Sequence, residues 1–177
     1  LDRLYAIVEP HLAKSFDEDR DKWNQEKILL ITYGDSLKSQ HDSHPLKTLD
    51  RFLTTHLKNT ISGVHILPFC PYSSDDGFAV IDYLKVNPEL GGWEDIHAIS
   101  QNFNLMADLV INHISSEHIW FEQFKRGEQP GCDYFIEVDP HIEASKLSAV
   151  VRPRSSPLLA EVETVNGKKY VWERSFQ

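Results

Sequence analysis

Gly63-Val64-His65-Ile66-Leu67-Pro68-Phe69 is a short, largely apolar run that opens on glycine and is ended by Pro68 and Pro71. It is too short for a helix, rich in branched residues, and shows no polar alternation, so it reads as a strand buried on both faces. Two more runs have the same texture. Lys27-Ile28-Leu29-Leu30-Ile31-Thr32-Tyr33 lies upstream, bounded by Gly34 and Asp35, and Asn104-Leu105-Met106-Ala107-Asp108-Leu109-Val110-Ile111 lies downstream. Between the first two, residues 44–59 place Leu46, Leu49, Phe52, Leu53 and Leu57 at helical spacing. Between the second and third, a long loop over 71–92 leads into a helix expected from Trp93 to Phe103. Strand, helix, strand, helix, strand is the rhythm of a parallel α/β sheet. A (β/α)8 barrel and an open doubly wound sheet both begin this way, and periodicity alone does not choose between them. No GxGxxG follows the first strand and no Walker A sequence occurs, which argues against an open nucleotide-binding sheet.

Working outward, Leu1 to Lys14 reads as a helix interrupted near Pro10, and Asp17 to Lys22 as a charged linker. After the third run, residues 115–127 read as a helix capped by Ser115 or Ser116 and stopped by Gly127. Beyond it the chain turns irregular. Near its end, two β-rich runs flank Val165-Asn166-Gly167, a hairpin signal. The expected organisation is a helical extension over 1–26, a parallel α/β part over 27–130, and an inserted irregular and hairpin subdomain over 131–177.

With 41% hydrophobic residues among 177, the chain suits a folded domain. Against 27 acidic residues stand 18 basic ones, a formal charge of −9. Such a surface disfavours nucleic acid and anionic membranes as partners. No apolar run approaches the ~18 residues of a membrane span, and the first residues lack a signal-peptide core, so a cytoplasmic location is expected. Cys70 and Cys132 do not make a disulfide framework and are expected as buried or half-buried thiols. The start at Leu1 hints at a longer parent chain. The sequence is silent on oligomeric state.

Three places could put polar residues at the carboxyl ends of the strands, where barrel enzymes gather their sites. They are Ser73-Ser74-Asp75-Asp76-Gly77-Phe78 after the second strand, Asp108 to His113 at the end of the third, and Val151-Arg152-Pro153-Arg154 in the excursion. Asp108-Leu109-Val110-Ile111-Asn112-His113 is similar to the DxxxNH motif of the α-amylase family, glycoside hydrolase family 13. Residues 63–69 resemble that family's second-strand motif, with Asp75, Gly77 and Phe78 following in its D-x-G-F/Y pattern. ITYGDSL from Ile31, the GFxxIDY stretch from Gly77 to Tyr83, LGGWEDI from Leu90 and VRPR from Val151 resemble the sucrose-phosphorylase-like branch.

The resemblance implies a fold and a set of roles. The fold is the N-terminal part of a (β/α)8 barrel, its first three βα units, with the start of a small domain inserted after strand 3. Asp75 resembles the carboxylate that binds glucosyl hydroxyls far from the scissile bond, and His113 the histidine on the 6-hydroxyl. Phe78 and Phe176 resemble the aromatic pair that walls the same subsite. Asp108 and Asn112 resemble residues that fix the loop, the asparagine position also serving calcium in some amylases. Arg154 resembles an arginine that meets phosphate or the leaving group. A sugar is a disc with apolar faces and a rim of hydroxyls, so aromatic walls with carboxylate and imidazole suit it.

Taken singly, each residue has a plainer reading: Asp75 a turn residue, His113 a structural or surface histidine, Phe78 and Phe176 core, Arg152 and Arg154 solvated or paired. His65, inside a buried strand, reads as a satisfied core histidine, and nothing near Cys70 looks like a partner base. No HExxH or CxxC occurs, so neither a metal nor another cofactor is expected.

The implied activity is that of a retaining α-glucoside phosphorylase, a glycosyltransferase that cleaves glucosylglycerate or a sucrose-type α-glucoside with inorganic phosphate to give α-glucose 1-phosphate. The family's nucleophile and acid/base sit on strands 4 and 5, expected beyond Gln177, so no catalytic residue is assigned within the chain, which alone would be inactive. Sucrose phosphorylases carry a tyrosine just before RPR where this chain has Val151, and their loop differs from Pro71-Tyr72-Ser73-Ser74-Asp75-Asp76. Both departures favour glucosylglycerate, or phosphorylated sucrose, over sucrose. The alternatives are an amylase-type hydrolase and a non-catalytic carbohydrate-binding segment.

Overall fold

The computed structural model describes residues 24–139 and 157–173, together with positions 3, 5, 6, 9, 141, 147, 148, 150 and 151. The expected helix over 1–14, apart from positions 3, 5, 6 and 9, and the linker over 17–22 fall outside the described residues.

The three apolar runs form β1 (Leu29–Thr32), β2 (Gly63–Ile66) and β3 (Asn104–Ala107). They make one parallel sheet in the order β1-β2-β3. Val64 sits opposite both Leu30 and Leu105, and Ile66 opposite Thr32 and Ala107. Only β2 is buried along its whole length. Ile31 on β1 and Met106 on β3 are 59% and 50% exposed, so burial on both faces holds for the central strand and not for its neighbours. Each outer strand has a hydrogen-bonded neighbour on one side alone among the described residues.

Helix α1 (Pro45–Phe52) begins on a proline, whose missing N–H is no loss at that position. Leu46, Leu49 and Leu53 form its buried stripe, whereas Phe52 turns outward and tilts against His56 at 5.1 Å. The helix runs on as a wider turn over Leu53–Leu57, where the Thr54 hydroxyl donates to the Asp50 carbonyl at 2.8 Å. Helix α2 (Trp93–Ser100) is shorter than expected; Asn102 and Phe103 close its last turn onto the Ile99 carbonyl. Leu46, Leu49, Leu53, Val64, Ile66, Ile96, Ile99 and Phe103 meet in one core between these helices and the sheet. The fold class is α/β.

Helix α3 (Ile119–Arg126) corrects the expected cap. The cap is His118, whose Nδ1 accepts from the Trp120 N–H at 3.0 Å, while the Ser115 hydroxyl serves the Glu117 N–H one turn earlier. Gly127 ends the helix at φ 67°, as its left-handed role requires. The hairpin forms between β4 (Leu159–Thr164) and β5 (Gly167–Trp172), an antiparallel pair separate from the three-stranded sheet. Positive φ falls on Gly167, after the two turn residues Val165 and Asn166. Val162 and Val171 pack this hairpin on Phe124 of α3.

Candidate functional site

The loop after β2 is folded back on itself. Ile81 donates to the Pro71 carbonyl at 2.7 Å, Ser73 to Ala79 at 3.0 Å, and Phe78 to Asp75 at 3.0 Å. The tip is a single 3-10 turn, Asp75–Gly77. Asp75 and Asp76 adopt φ 58° and 49°, a left-handed conformation that aspartate tolerates better than most residues. Gly77 follows at φ 105°, and a Cβ there would stand 2.7 Å from the Pro68 carbonyl oxygen. The D-x-G-F spacing therefore has a steric origin: the turn is pressed onto the end of β2, and only glycine fits the contact.

The third strand stops at Ala107, earlier than expected. Its partner β2 runs into Leu67-Pro68, and Pro68 has no N–H to continue a ladder. Asp108 bonds instead through its side chain, its Oδ2 lying 2.8 Å from Nε2 of His65 on β2. His65 is 9% exposed, so its imidazole needs a partner, and Asp108 supplies it. The sequence reading makes His65 a satisfied core histidine but does not name the partner that satisfies it. Only the strand register supplies it: His65 pairs with Met106, so the residue two further along the chain shares its face.

Five residues singled out by sequence surround one hollow of about 350 Å3, at the small end for ligand sites: Asp75, Phe78, Asp108, Asn112 and His113, joined by Leu109 and Val110. Asp75 and Asn112 are exposed, whereas Phe78, Asp108 and His113 are half-buried. The hollow is thus lined by a phenyl ring, two carboxylates, an amide and an imidazole whose two ring nitrogens are out of contact with solvent. Arg154 and Phe176 lie outside the described residues. Asp76 lines a separate hollow with Tyr33, Lys38 and Tyr72.

Cys70, at the same end of β2, is free and half-buried, as is Cys132. Burial, helped by the Asp82 carboxylate, pushes the Cys70 thiol up, which keeps it protonated and a poor nucleophile. Among the described residues no group of three or more His, Cys, Asp or Glu side chains could hold a metal ion. Nor is any helix among them long and apolar enough to cross a membrane.

A parallel three-stranded sheet packed against helices, with a hollow at the carboxyl ends of its strands, defines an α/β protein. Residues 56–158 match the family model described as alpha amylase, catalytic domain, and the chain belongs to that family. It is 48% identical over 150 residues to glucosylglycerate phosphorylase of Allomeiothermus silvanus, across 85% of this chain and 26% of that protein. It is 50% identical over 144 residues to glucosylglycerate phosphorylase of Spirochaeta thermophila, across 81% of this chain and 24% of that protein. The chain therefore spans about a quarter of the length of these relatives. Among solved structures, sucrose 6F-phosphate phosphorylase of Thermoanaerobacter thermosaccharolyticum superposes with a TM-score of 0.72 at 31% identity, over 88% of this chain and 32% of that one.

Proposed function

We propose that this chain is the glucosyl-binding part of a retaining α-glucoside phosphorylase whose substrate is glucosylglycerate. It contributes the first three βα units of a (β/α)8 barrel, over 27–130, and the start of a subdomain inserted after β3, over 131–177. The observation that carries the reading is the convergence of Asp75, Phe78 and His113 on one hollow at the strand ends, in a chain of the α-amylase family. The 48% and 50% identity to two glucosylglycerate phosphorylases supports that choice of substrate.

Asp75 and His113 hold hydroxyls on the rim of the glucosyl ring, and Phe78, with Phe176, covers its faces. Asp108 and Asn112 keep the β3 loop in place, Asp108 through its bond to His65. Arg154 offers a planar fork to phosphate or to the glycerate carboxylate. A carboxylate elsewhere in the protein attacks the anomeric carbon as the glycerate oxygen leaves with a proton from the acid/base. Phosphate oxygen then displaces that carboxylate with net retention, giving α-glucose 1-phosphate. The segment's part is to hold the ring so that the anomeric carbon meets the attacking oxygen. The partners are the α-glucoside and inorganic phosphate, and the working place is the cytoplasm.

The test is an assay of the full-length protein on glucosylglycerate and sucrose, with and without phosphate. Phosphate-dependent release of glucose 1-phosphate from glucosylglycerate is expected. Glucose release independent of phosphate would make the enzyme a hydrolase, and absence of any cleavage would reduce the segment to a carbohydrate-binding role.

A further inference from the structure

The segment after β3 carries Asn112 and His113, yet residues 108–114 belong to no helix or strand. Within it, Ile111 donates to Leu109 at 3.1 Å, and Ser115 just beyond is anchored by its N–H to the Val80 carbonyl at 3.0 Å and by its hydroxyl to Ser73 at 2.6 Å. Between those anchors, a phenol reaches in from the other loop. The Tyr83 hydroxyl lies 2.5 Å from the Val110 carbonyl oxygen and 3.3 Å from that of His113. One O–H therefore spans both ends of the stretch that presents Asn112 and His113 to the hollow.

The ring of Tyr83 is itself locked. It stacks on Trp120 at 5.8 Å and 30° and tilts against His118 at 5.4 Å. His118 and Trp120 in turn sit 4.5 Å apart at the start of α3. Five residues upstream along the same loop stands Phe78, which lines the hollow. Tyr83 belongs to the GFxxIDY stretch of the sequence, to which the glucosyl contacts assign no task beyond Phe78.

We infer that Tyr83 is a positioning residue for the glucosyl subsite: its hydroxyl holds the Val110–His113 backbone so that Asn112 and His113 face Asp75 and Phe78. The inference rests on the proposed function and deepens it. A phenol suits the task because it is a rigid donor with no charge to desolvate. Burial pushes Tyr83 up to about 12, so the donor proton stays on the oxygen across the working pH range. Nothing in the role requires Tyr83 to touch the sugar.

The experiment is Tyr83→Phe in the full-length protein, which keeps the stack on Trp120 and His118 and removes only the hydroxyl. A rise in KM for the glucoside of about tenfold is expected, with the melting temperature close to that of the wild type. A merely structural residue would lower the active fraction and hence kcat, but would leave KM unmoved. On a His113→Ala background the same substitution is expected to change KM by less than about twofold, since of the two residues it positions only His113 holds the sugar. Amide exchange over 108–114, which needs no activity, is expected to quicken in Tyr83→Phe. Unchanged KM and unchanged exchange overturn the inference while leaving the phosphorylase reading in place. Should the wild type cleave no α-glucoside, that reading fails. Tyr83 is then judged by exchange over 108–114 and by glucose affinity from calorimetry, and equality of both with wild type overturns it. If Tyr83→Phe does not fold, Trp120→Phe tests the same lock through its ring, with KM and exchange judged in the same way.

Discussion

Gly77→Ala tests whether the Asp75–Gly77 turn is shaped by contact with β2. Alanine at φ 105° leaves the favoured region for L-residues, a strain of about 1–2 kcal/mol. Its Cβ would also stand 2.7 Å from the Pro68 oxygen and 2.9 Å from the Pro68 Cβ. The oxygen is backbone and the Cβ belongs to the proline ring, so neither can swing aside, and overpacking of this kind adds about 1–3 kcal/mol. The sum is about 2–5 kcal/mol for Gly77→Ala. Gly167→Ala is the matched control, because Gly167 has φ 94° but no atom within 4 Å of a Cβ. It carries the strain alone, about 1–2 kcal/mol. Urea unfolding of the two variants in the full-length protein, read by tryptophan fluorescence, measures the difference. Glucoside KM is expected to rise in Gly77→Ala and to stay put in Gly167→Ala, since only the first moves Asp75 and Phe78. Equal destabilisation by the two substitutions would refute the steric account of the turn.

Asp50 is held above the ordinary carboxylate range by burial first and the Asp95 carboxylate second. Its charge therefore weighs against the fold once the pH passes its raised value, so Asp50→Asn is expected to raise the melting temperature at neutral pH, a gain that shrinks as the pH falls toward the ordinary carboxylate range. His118 is held below the ordinary histidine value by burial, against an upward pull from Asp82. The unfolded chain takes this proton first, so the stability present at neutral pH is lost as the pH falls below about 6.5 toward the folded value. Melting curves of His118→Asn, which keeps a capping side chain, are expected to flatten with pH, while His118→Ala loses about 0.5–2 kcal/mol at neutral pH. Replacing His65 by leucine strands the Asp108 carboxylate and is expected to destabilise by about 1–3 kcal/mol in urea unfolding, with part recovered when Asp108→Asn is added.

Much of the fold was legible because its signals are local. The run from Gly63 to Phe69 is apolar apart from His65, opened by glycine and ended by Pro68 and Pro71, which determines a short strand. Pro45 at the start of α1, Gly127 at the end of α3 and Asn166-Gly167 in the hairpin act through their own backbone preferences, so each declares its place within a few residues. The D-x-G-F spacing likewise placed Asp75 and Phe78 on one turn.

Tertiary structure alone decided which distant groups meet. His65 finds Asp108 across 43 residues, and Tyr83 reaches Val110 across 27. No period or spacing encodes such encounters; they follow from strand register, which brings β2 and β3 side by side. The cap of α3 fell to His118 and not to a serine because the fold buries its imidazole beside Tyr83 and Trp120. The outer strands β1 and β3 look as apolar as β2 in sequence, yet among the described residues each has one strand neighbour and leaves Ile31 or Met106 exposed. Composition cannot state that number, because a strand's burial is a property of the sheet around it and not of its own residues.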